Sequence, residues 1–381
     1  MRFLHLADLH IGKRVNEFSM LADQRFILDQ IVQKALAAHV DAVLIAGDVY
    51  DKPVPSTEAL EVFEHLLGSF SQHEVPVLVI PGNHDSAERL SFGSRFMDAQ
   101  GIHIARAFSE KPQVVHLSDQ YGPVDIHLLP FVKPVYVRAA FPDEEISSYQ
   151  DAVAVAVAHM PIDPDVRSVL VAHQFVTNAG TPPEVVHEPG LSVTVGGVDN
   201  VDASLFAAFQ YVALGHVHIS QQIGRPEVRY CGTPLKYSFS ESGRQLVLNL
   251  VDLDAQGAVQ VEEVPLQPLH DMREVRGSLE ELRAQAGEEG PAAEDYLHVT
   301  LTDEALMDAM AKVREFYPHT MTLDFAQTED EERAPRIEAD PSHKTIPQLF
   351  DDYFLQQTGE QLSDQQEAVV AAAAREAGED R

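Results

Sequence analysis

The sequence predicts an α/β layered body that carries a small α+β module and, near its C-terminal end, a pair of helices. Three observations predict this. Over the first two-thirds, short apolar runs alternate with stretches of helical periodicity; from about Met272 the order becomes β-α-β-α-β; and beyond a charged, proline-containing stretch an apolar stripe recurs at helical spacing. At 381 residues the chain is long enough for two or three domains. An apolar fraction of 45% with 23% charged residues is globular and allows a sizeable core.

In chain order, the strand candidates of the body are Arg2–Ala7, Ala42–Ala46, Val77–Ile80, Ile126–Pro130, Ser168–Ala172 and Tyr211–Leu214. Helical periodicity runs from Met20 to Ala38 and from Ser56 to Phe70, with Ser56 as the N-cap of the second. Ala152 to Ala158 alternates Ala and Val, which has the period of a strand, but its alanine content and position favour a helix. The small module reads as strand Met272–Val275, helix Leu279–Ala286, strand Tyr296–Leu301, helix Asp303–Phe316 and strand Thr320–Phe325. A polar linker with Pro335 and Pro341 follows, from Gln327 to His343. Ile346, Leu349, Phe350, Tyr353 and Phe354 then form one apolar stripe on a helix. Gly359 ends it, and Ser363 with Gln366 has capping-box spacing for a second helix through Ala374. That pair reads equally as a hairpin packed on its own protein or as a docking element. The expected domains are 1–268, 269–327, a linker over 328–343, and the helical pair 344–378.

Several function classes fall away on composition. The single cysteine, Cys231, excludes an internal disulfide framework and a cysteine-built zinc site, and reads as a buried small hydrophobe. Apolar runs such as Ala152 to Met160 fall short of the ~20 residues that span a bilayer, so no membrane role and a cytoplasmic location are expected. The net charge is −33, from 27 basic and 60 acidic residues, which by itself argues against nucleic acid. Much of that acid lies in Glu280 to Glu294, Asp324 to Asp340 and Asp351 to Asp380, away from the candidate site, and bound cations or a partner would offset it.

Five short motifs each follow an apolar run: Asp8-Leu9-His10, Gly47-Asp48-Val49-Tyr50-Asp51, Gly82-Asn83-His84-Asp85, His173, and Gly215-His216-Val217-His218. Strand ends along a sheet edge converge, which is where α/β proteins place ligands, and the glycines allow sharp turns there. Carboxylate, imidazole and carboxamide donors without thiolate suit Mn²⁺, Fe²⁺ or Zn²⁺. Asp8, His10, Asp48, Asn83, His173, His216 and His218 make seven donors, too many for one ion and right for two if one carboxylate bridges. Two ions ~3.5–4 Å apart clamp a phosphoryl centre for in-line displacement. His84 is then left to protonate the leaving oxygen, with Asp85 placed to orient it. Taken singly, Asp8 and Asp48 read as ordinary turn residues and His173 as a core histidine. Gly-Asn-His-Asp is the most specific string, and the joint occurrence in order makes coincidence improbable. His5, His39, His65, His73, His103, His116 and His127 fall outside this frame and read as structural or solvated.

These blocks resemble the calcineurin-like metallophosphoesterases, over roughly Met1 to Val264. That resemblance implies a four-layer β-sandwich flanked by helices, with a small α+β capping domain behind it. It implies one metal on Asp8, His10, Asp48 and His218 and a second on Asp48, Asn83, His173 and His216. The opening RFLHLADLHIG, the string YCGTPLKYSFSE at Tyr230 to Glu241, and the module order are similar to the bacterial SbcD branch. By that resemblance the chain is the nuclease component of a break-repair complex: a Mn²⁺-favoured exonuclease on double-stranded ends and endonuclease on hairpins and single strands. The same resemblance implies that the helical pair docks on an SbcC-type coiled-coil ATPase and that the chain forms a homodimer. Lys13, Arg14, Lys52 and Arg89 flank the motifs and are candidates for phosphate contacts. Asp51 departs from archaeal relatives, which carry histidine there. The alternatives are a phosphoesterase acting on nucleotides, cyclic nucleotides or phosphoproteins, and a non-catalytic scaffold on the same fold.

Overall fold

In the computed structural model of the chain, the described residues are 1–185, 199–303 and 306–326, with 347, 348, 350, 351, 354, 361–363, 366, 367, 369 and 370. The chain divides into two compact units: Met1–Thr300 with Met307–Leu323, and Leu301–Leu306 with Asp324–Arg381.

The larger unit is built on two six-stranded mixed sheets. In the first, the order is Val259–Pro265, Val247–Leu253, Arg2–Leu6, Ala42–Ala46, Val77–Ile80, Ile102–Ile104. Its last four strands run parallel, while Val247–Leu253 pairs antiparallel with both Arg2–Leu6 and Val259–Pro265. In the second, the order is Gln221–Ile223, Arg225–Tyr230, Tyr211–Gly215, Arg167–His173, Gly122–Leu129, Gln113–Asp119. Its four inner strands are parallel and its two outer ones antiparallel.

Side-chain sequence explains the stacking. Phe3, Leu44, Leu78 and Val251 of the first sheet meet Ile126, Val169, Tyr211 and Ala213 of the second in one buried layer. Strands such as AVLIA and VLVI are buried on both faces, so they read as continuous apolar runs. The outer face of the first sheet is covered by helices Leu21–Ala37 and Thr57–Gln72. The second of these helices buries Val62, Phe63, Leu66, Leu67 and Phe70 on one stripe, each worth about 1.5–3 kcal/mol. Ser56 caps it by accepting from the Ala59 N–H. Helix Tyr149–Ala158 covers the second sheet, giving the four-layer order α-β-β-α. The Ala/Val stretch is therefore helical, held by a capping box in which Ser148 and Asp151 bond each other's backbone N–H.

Strands Met272–Gly277, Tyr296–Leu301 and Thr320–Phe325 make a small third sheet, with helix Leu279–Glu289 capped by Ser278 and Glu281. Met272, Tyr296 and Met321 join the core beneath Leu21–Ala37, and the Tyr296 hydroxyl donates to buried Asp23 at 2.8 Å. The helix expected over Asp303–Phe316 is shorter, Ala309–Arg314, because Asp308 takes a left-handed backbone and starts it late; positions 304 and 305 lie outside the described residues.

In the smaller unit, Ser363 bonds Gln366 through both its N–H and its hydroxyl, as the capping spacing predicts. Of the predicted stripe, Phe350 and Phe354 are helical and Phe350 is exposed, while Ile346, Leu349 and Tyr353 lie outside the described residues, as does the linker over 328–343. Among the described residues no helix is long and apolar enough to cross a membrane.

Candidate metal centre

All five motifs leave the C-terminal ends of parallel strands, but of two sheets rather than one. Asp8, His10, Asp48, Asn83 and His84 follow strands of the first sheet; His173, His216 and His218 come from the second. The sheets are stitched at this edge by Nδ1 of His173, which donates to the Ala46 carbonyl at 2.8 Å. Asp8 in turn accepts from the His216 N–H at 3.0 Å.

Getting these donors to one point requires unusual backbone. Asp8, His10, Asp48 and His216 all have positive φ, at 53°, 43°, 50° and 100°. A non-glycine residue held there costs about 1–3 kcal/mol, and such residues persist where surrounding contacts over-determine them. Here the Asp8 N–H donates to the Gly47 carbonyl at 3.0 Å and the His10 N–H to the Asp48 carbonyl at 3.0 Å. Two glycines leave the room. A Cβ on Gly82 would lie 2.1 Å from Oδ1 of Asp48, and one on Gly47, itself at φ 89°, would lie 2.3 Å from Nδ1 of His173.

Asp48 occupies the middle. Its Oδ2 is 3.4 Å from Nε2 of His173 and 3.8 Å from Nε2 of His10, and its Oδ1 accepts from the His84 N–H at 2.9 Å. Nε2 of His10 faces Nε2 of His218 at 3.2 Å. Oδ1 of Asn83 lies 3.0 Å from both Nε2 of His173 and Nδ1 of His216. Donor atoms of Asp8, His10 and His218, and separately of Asp8, Asp48 and His173, gather within 4.8 Å of one another. Because Nδ1 of His173 donates to Ala46, a neutral imidazole would aim the Nε2 lone pair at two oxygens. That repulsion is relieved by a proton on Nε2 or by a cation among the three. The residues therefore fit divalent metal, with the seven predicted donors brought together.

Electrostatics follow from this crowding. Burial pushes the Asp8 carboxyl up, against the pull of His173 and His218. Burial pushes Asp48 up as well, but His173, His10 and His84 outweigh it and hold the carboxyl well below the usual range. Burial keeps His10 and His216 neutral, His216 at about 3. His173 goes the other way: burial lowers it, yet the charge and hydrogen bond of Asp48 raise it to about 9. Its folded pKa thus lies above the ordinary 6.5, so in metal-free protein its stabilising contribution is full below pH 6.5 and lost as pH rises through 9. Coordination needs the Nε2 lone pair, so binding of Mn²⁺ at pH 7.5 is expected to release at least one proton. Calorimetry in buffers of different ionisation enthalpy counts it, and binding without proton release would contradict the charged His173.

His84 stands where predicted, with its ring edge-on to His10 at 4.8 Å between centroids. Its orientation differs from expectation. Nδ1 donates to the main-chain carbonyl of Asp51 at 2.9 Å, which leaves Nε2 facing away. Asp85 does not orient the ring; its carboxylate accepts from the N–H groups of Val49, Tyr50 and Gly82 at 3.0, 3.0 and 2.9 Å. It ties two motif loops together, and burial with the Asp48 charge raises it to about 6. Phe131 stacks on His216 at 6.3 Å and Phe175 meets it edge-on, an apolar wall that the sequence did not signal.

The predicted phosphate contacts divide. Lys13 is engaged, 3.8 Å from Oδ1 of Asp51 and 5.2 Å above the Tyr237 ring, and Arg14 donates to the Glu17 carbonyl. Lys52 and Arg89 are exposed. Cys231 is buried and its thiol is pushed well up, as expected of a packing residue.

Comparison with known proteins agrees with this geometry. A family model described as calcineurin-like phosphoesterase matches residues 1–220. The SbcD component of the SbcCD nuclease of Staphylococcus saprophyticus is 30% identical over 327 residues, covering 85% of this chain and 84% of its own. The chain belongs to the SbcD family of nuclease components. The SbcD component of the same nuclease in Staphylococcus epidermidis is 28% identical over 95% of both chains. The SbcD C-terminal model, described as type 5 capsule protein repressor C-terminal domain, matches residues 268–358. A dimetal phosphatase from Danio rerio is 13% identical with a TM-score of 0.40, covering 70% of this chain and 98% of that one. The SbcD family is one of metal-dependent phosphodiesterases, and the Asp/His cluster of this chain fits a divalent metal site.

Proposed function

We propose that the chain hydrolyses DNA phosphodiesters with two Mn²⁺ ions, trimming double-stranded ends and opening hairpins and single strands beside a coiled-coil ATPase of the SbcC type. The observation that carries the reading is the convergence of seven metal donors with the ring of His84 left over beside them. In this reading Asp8, His10, Asp48 and His218 hold one ion and Asp48, Asn83, His173 and His216 the other. Bound there, the ions supply Lewis acidity at the phosphorus and a nucleophile at neutral pH.

The remaining steps belong to the chain. Asp51, through its carbonyl, keeps the Nδ1 proton of His84 in place, so that Nε2 handles the proton on the leaving oxygen. Asp85 keeps the loops bearing Asp48 and Asn83 in register. Lys52 and Arg89 meet backbone phosphates. Phe131 and Phe175 exclude water from the His216 side. The domains act as 1–268 for cleavage, 269–327 as the cap, 328–343 as linker, and 344–378 as the docking pair for the ATPase, presenting Ile346, Leu349, Phe350, Tyr353 and Phe354. The protein works in the cytoplasm as a homodimer. Exposed apolar residues support the second copy: Phe92 and Phe96 are 84% and 86% exposed, and Leu60 and Phe92 line an apolar cavity of about 260 Å³ with Tyr50 and Phe63.

The test is an end-labelled duplex closed by a hairpin, incubated with the full chain and Mn²⁺, with and without the ATPase and ATP. Mn²⁺-dependent nicking at the hairpin and shortening from the open end are expected, both abolished by EDTA. Turnover of bis-p-nitrophenyl phosphate with no DNA cleavage under either condition would contradict the DNA substrate.

A further inference from the structure

Behind the Asp8–Gly12 loop lies a polar side chain that is not one of the seven candidate donors. Gln24, in the first turn of helix Leu21–Ala37, is buried. Its Nε2 donates to the His10 carbonyl at 2.8 Å and to the Tyr237 hydroxyl at 3.0 Å, with the Leu9 carbonyl at 3.4 Å. Its Oε1 accepts from the Gly12 N–H at 2.9 Å. The Tyr237 hydroxyl donates onward to the Leu9 carbonyl at 2.6 Å, and its ring meets His10 edge-on at 5.9 Å. One carboxamide therefore grips the loop at the carbonyls of residues 9 and 10 and the N–H of residue 12.

The loop needs such a grip. Asp8 and His10 both adopt left-handed backbone within three residues, a conformation that L side chains disfavour. If His10 relaxed to ordinary φ, its carbonyl would turn away from Nε2 of Gln24, and its ring would leave His218. The carboxamide matches only the strained form, because it needs two carbonyls and one N–H on the same side. Glutamate at this position would set a carboxylate against two carbonyls, and an apolar residue would leave buried backbone groups unpaired.

We propose that Gln24, backed by the Tyr237 hydroxyl, is a positioning residue that sets the divalent-metal affinity of the Asp8, His10 and His218 donor group. The inference rests on reading those residues as metal donors.

The test titrates the full-length chain with Mn²⁺ and follows free aquated Mn²⁺ by its paramagnetic resonance signal. It compares wild type with Gln24→Met, which keeps the volume and removes the bonds, and with Tyr237→Phe. Groups that orient metal ligands typically change affinity by roughly 10- to 100-fold. Gln24→Met is expected to weaken one of two binding steps by that factor and leave the other. At saturating Mn²⁺ its kcat on labelled duplex should stay close to wild type. Tyr237→Phe should shift the same step less, since the bonds of Gln24 to His10 and Gly12 remain. Unchanged Mn²⁺ affinity in both variants overturns the proposal. So does equal weakening of both steps by Gln24→Met with Tyr237→Phe unaffected, which would mark general damage to the fold. Wild type that binds no Mn²⁺ would instead remove the donor reading itself.

Discussion

Replacing His84 by alanine is expected to lower kcat for DNA cleavage by about 10²–10⁴-fold while two Mn²⁺ ions still bind. The backbone and the ring of this residue play separate parts. The His84 N–H holds Oδ1 of Asp48 at 2.9 Å, and alanine keeps that bond. Among the described residues the ring makes an edge contact with His10 and a hydrogen bond to the Asp51 carbonyl, and in the proposed mechanism its Nε2 serves the leaving oxygen. Donor atoms of His84, His10 and Asp48 also lie within 4.8 Å of one another, so the ring is close enough to be mistaken for a ligand. Equilibrium dialysis with Mn²⁺ separates the two roles. Two ions per chain with slow cleavage support a proton-handling ring, and one ion per chain would make His84 a ligand.

Asp48→Asn should carry the largest effect of any single substitution, with cleavage falling to background. Oδ2 of Asp48 lies within 4 Å of Nε2 of His10 and of Nε2 of His173, which come from separate sheets, so one oxygen faces both histidine groups. Asparagine preserves the shape and the bond from the His84 N–H. It removes the charge that holds His173 at about 9 and would bind two cations, and it can turn N–H groups toward the imidazoles. The same change at Asp85, whose carboxylate accepts from the backbone N–H groups of Val49, Tyr50 and Gly82, should reduce activity far less. Comparable losses at both positions would mean that Asp48 acts through loop structure and not as a shared ligand.

Most of the site was legible because its donors are side chains in short blocks, and each block leaves a strand whose apolar run shows in the sequence. What was not legible involves main chain or long range. The group that orients His84 is the carbonyl of Asp51, and a carbonyl carries no residue signature, so the neighbouring Asp85 drew the assignment instead. Val247–Leu253 pairs with Arg2–Leu6 across about two-thirds of the chain, a pairing that periodicity cannot specify. Gln113–Asp119 is an edge strand of half-exposed, mixed residues, without the apolar run of its inner neighbours. Gln24 did leave a trace: it sits three, four and seven residues before Ile27, Leu28 and Ile31 on the buried face of its helix, a polar residue on an apolar stripe. The Ala/Val stretch was decided by Ser148 and Asp151, whose capping spacing precedes the ambiguous residues.

The central claim is a pair of divalent ions on either side of one aspartate. Anomalous diffraction at the manganese edge, from Mn²⁺-soaked crystals of wild type and Asp48→Asn, tests it most directly. Two peaks flanking Asp48 are predicted in wild type, one bounded by Asp8, His10 and His218 and the other by Asn83, His173 and His216, with at least one lost in the variant. A single peak in wild type, or two undiminished peaks in Asp48→Asn, would contradict the account.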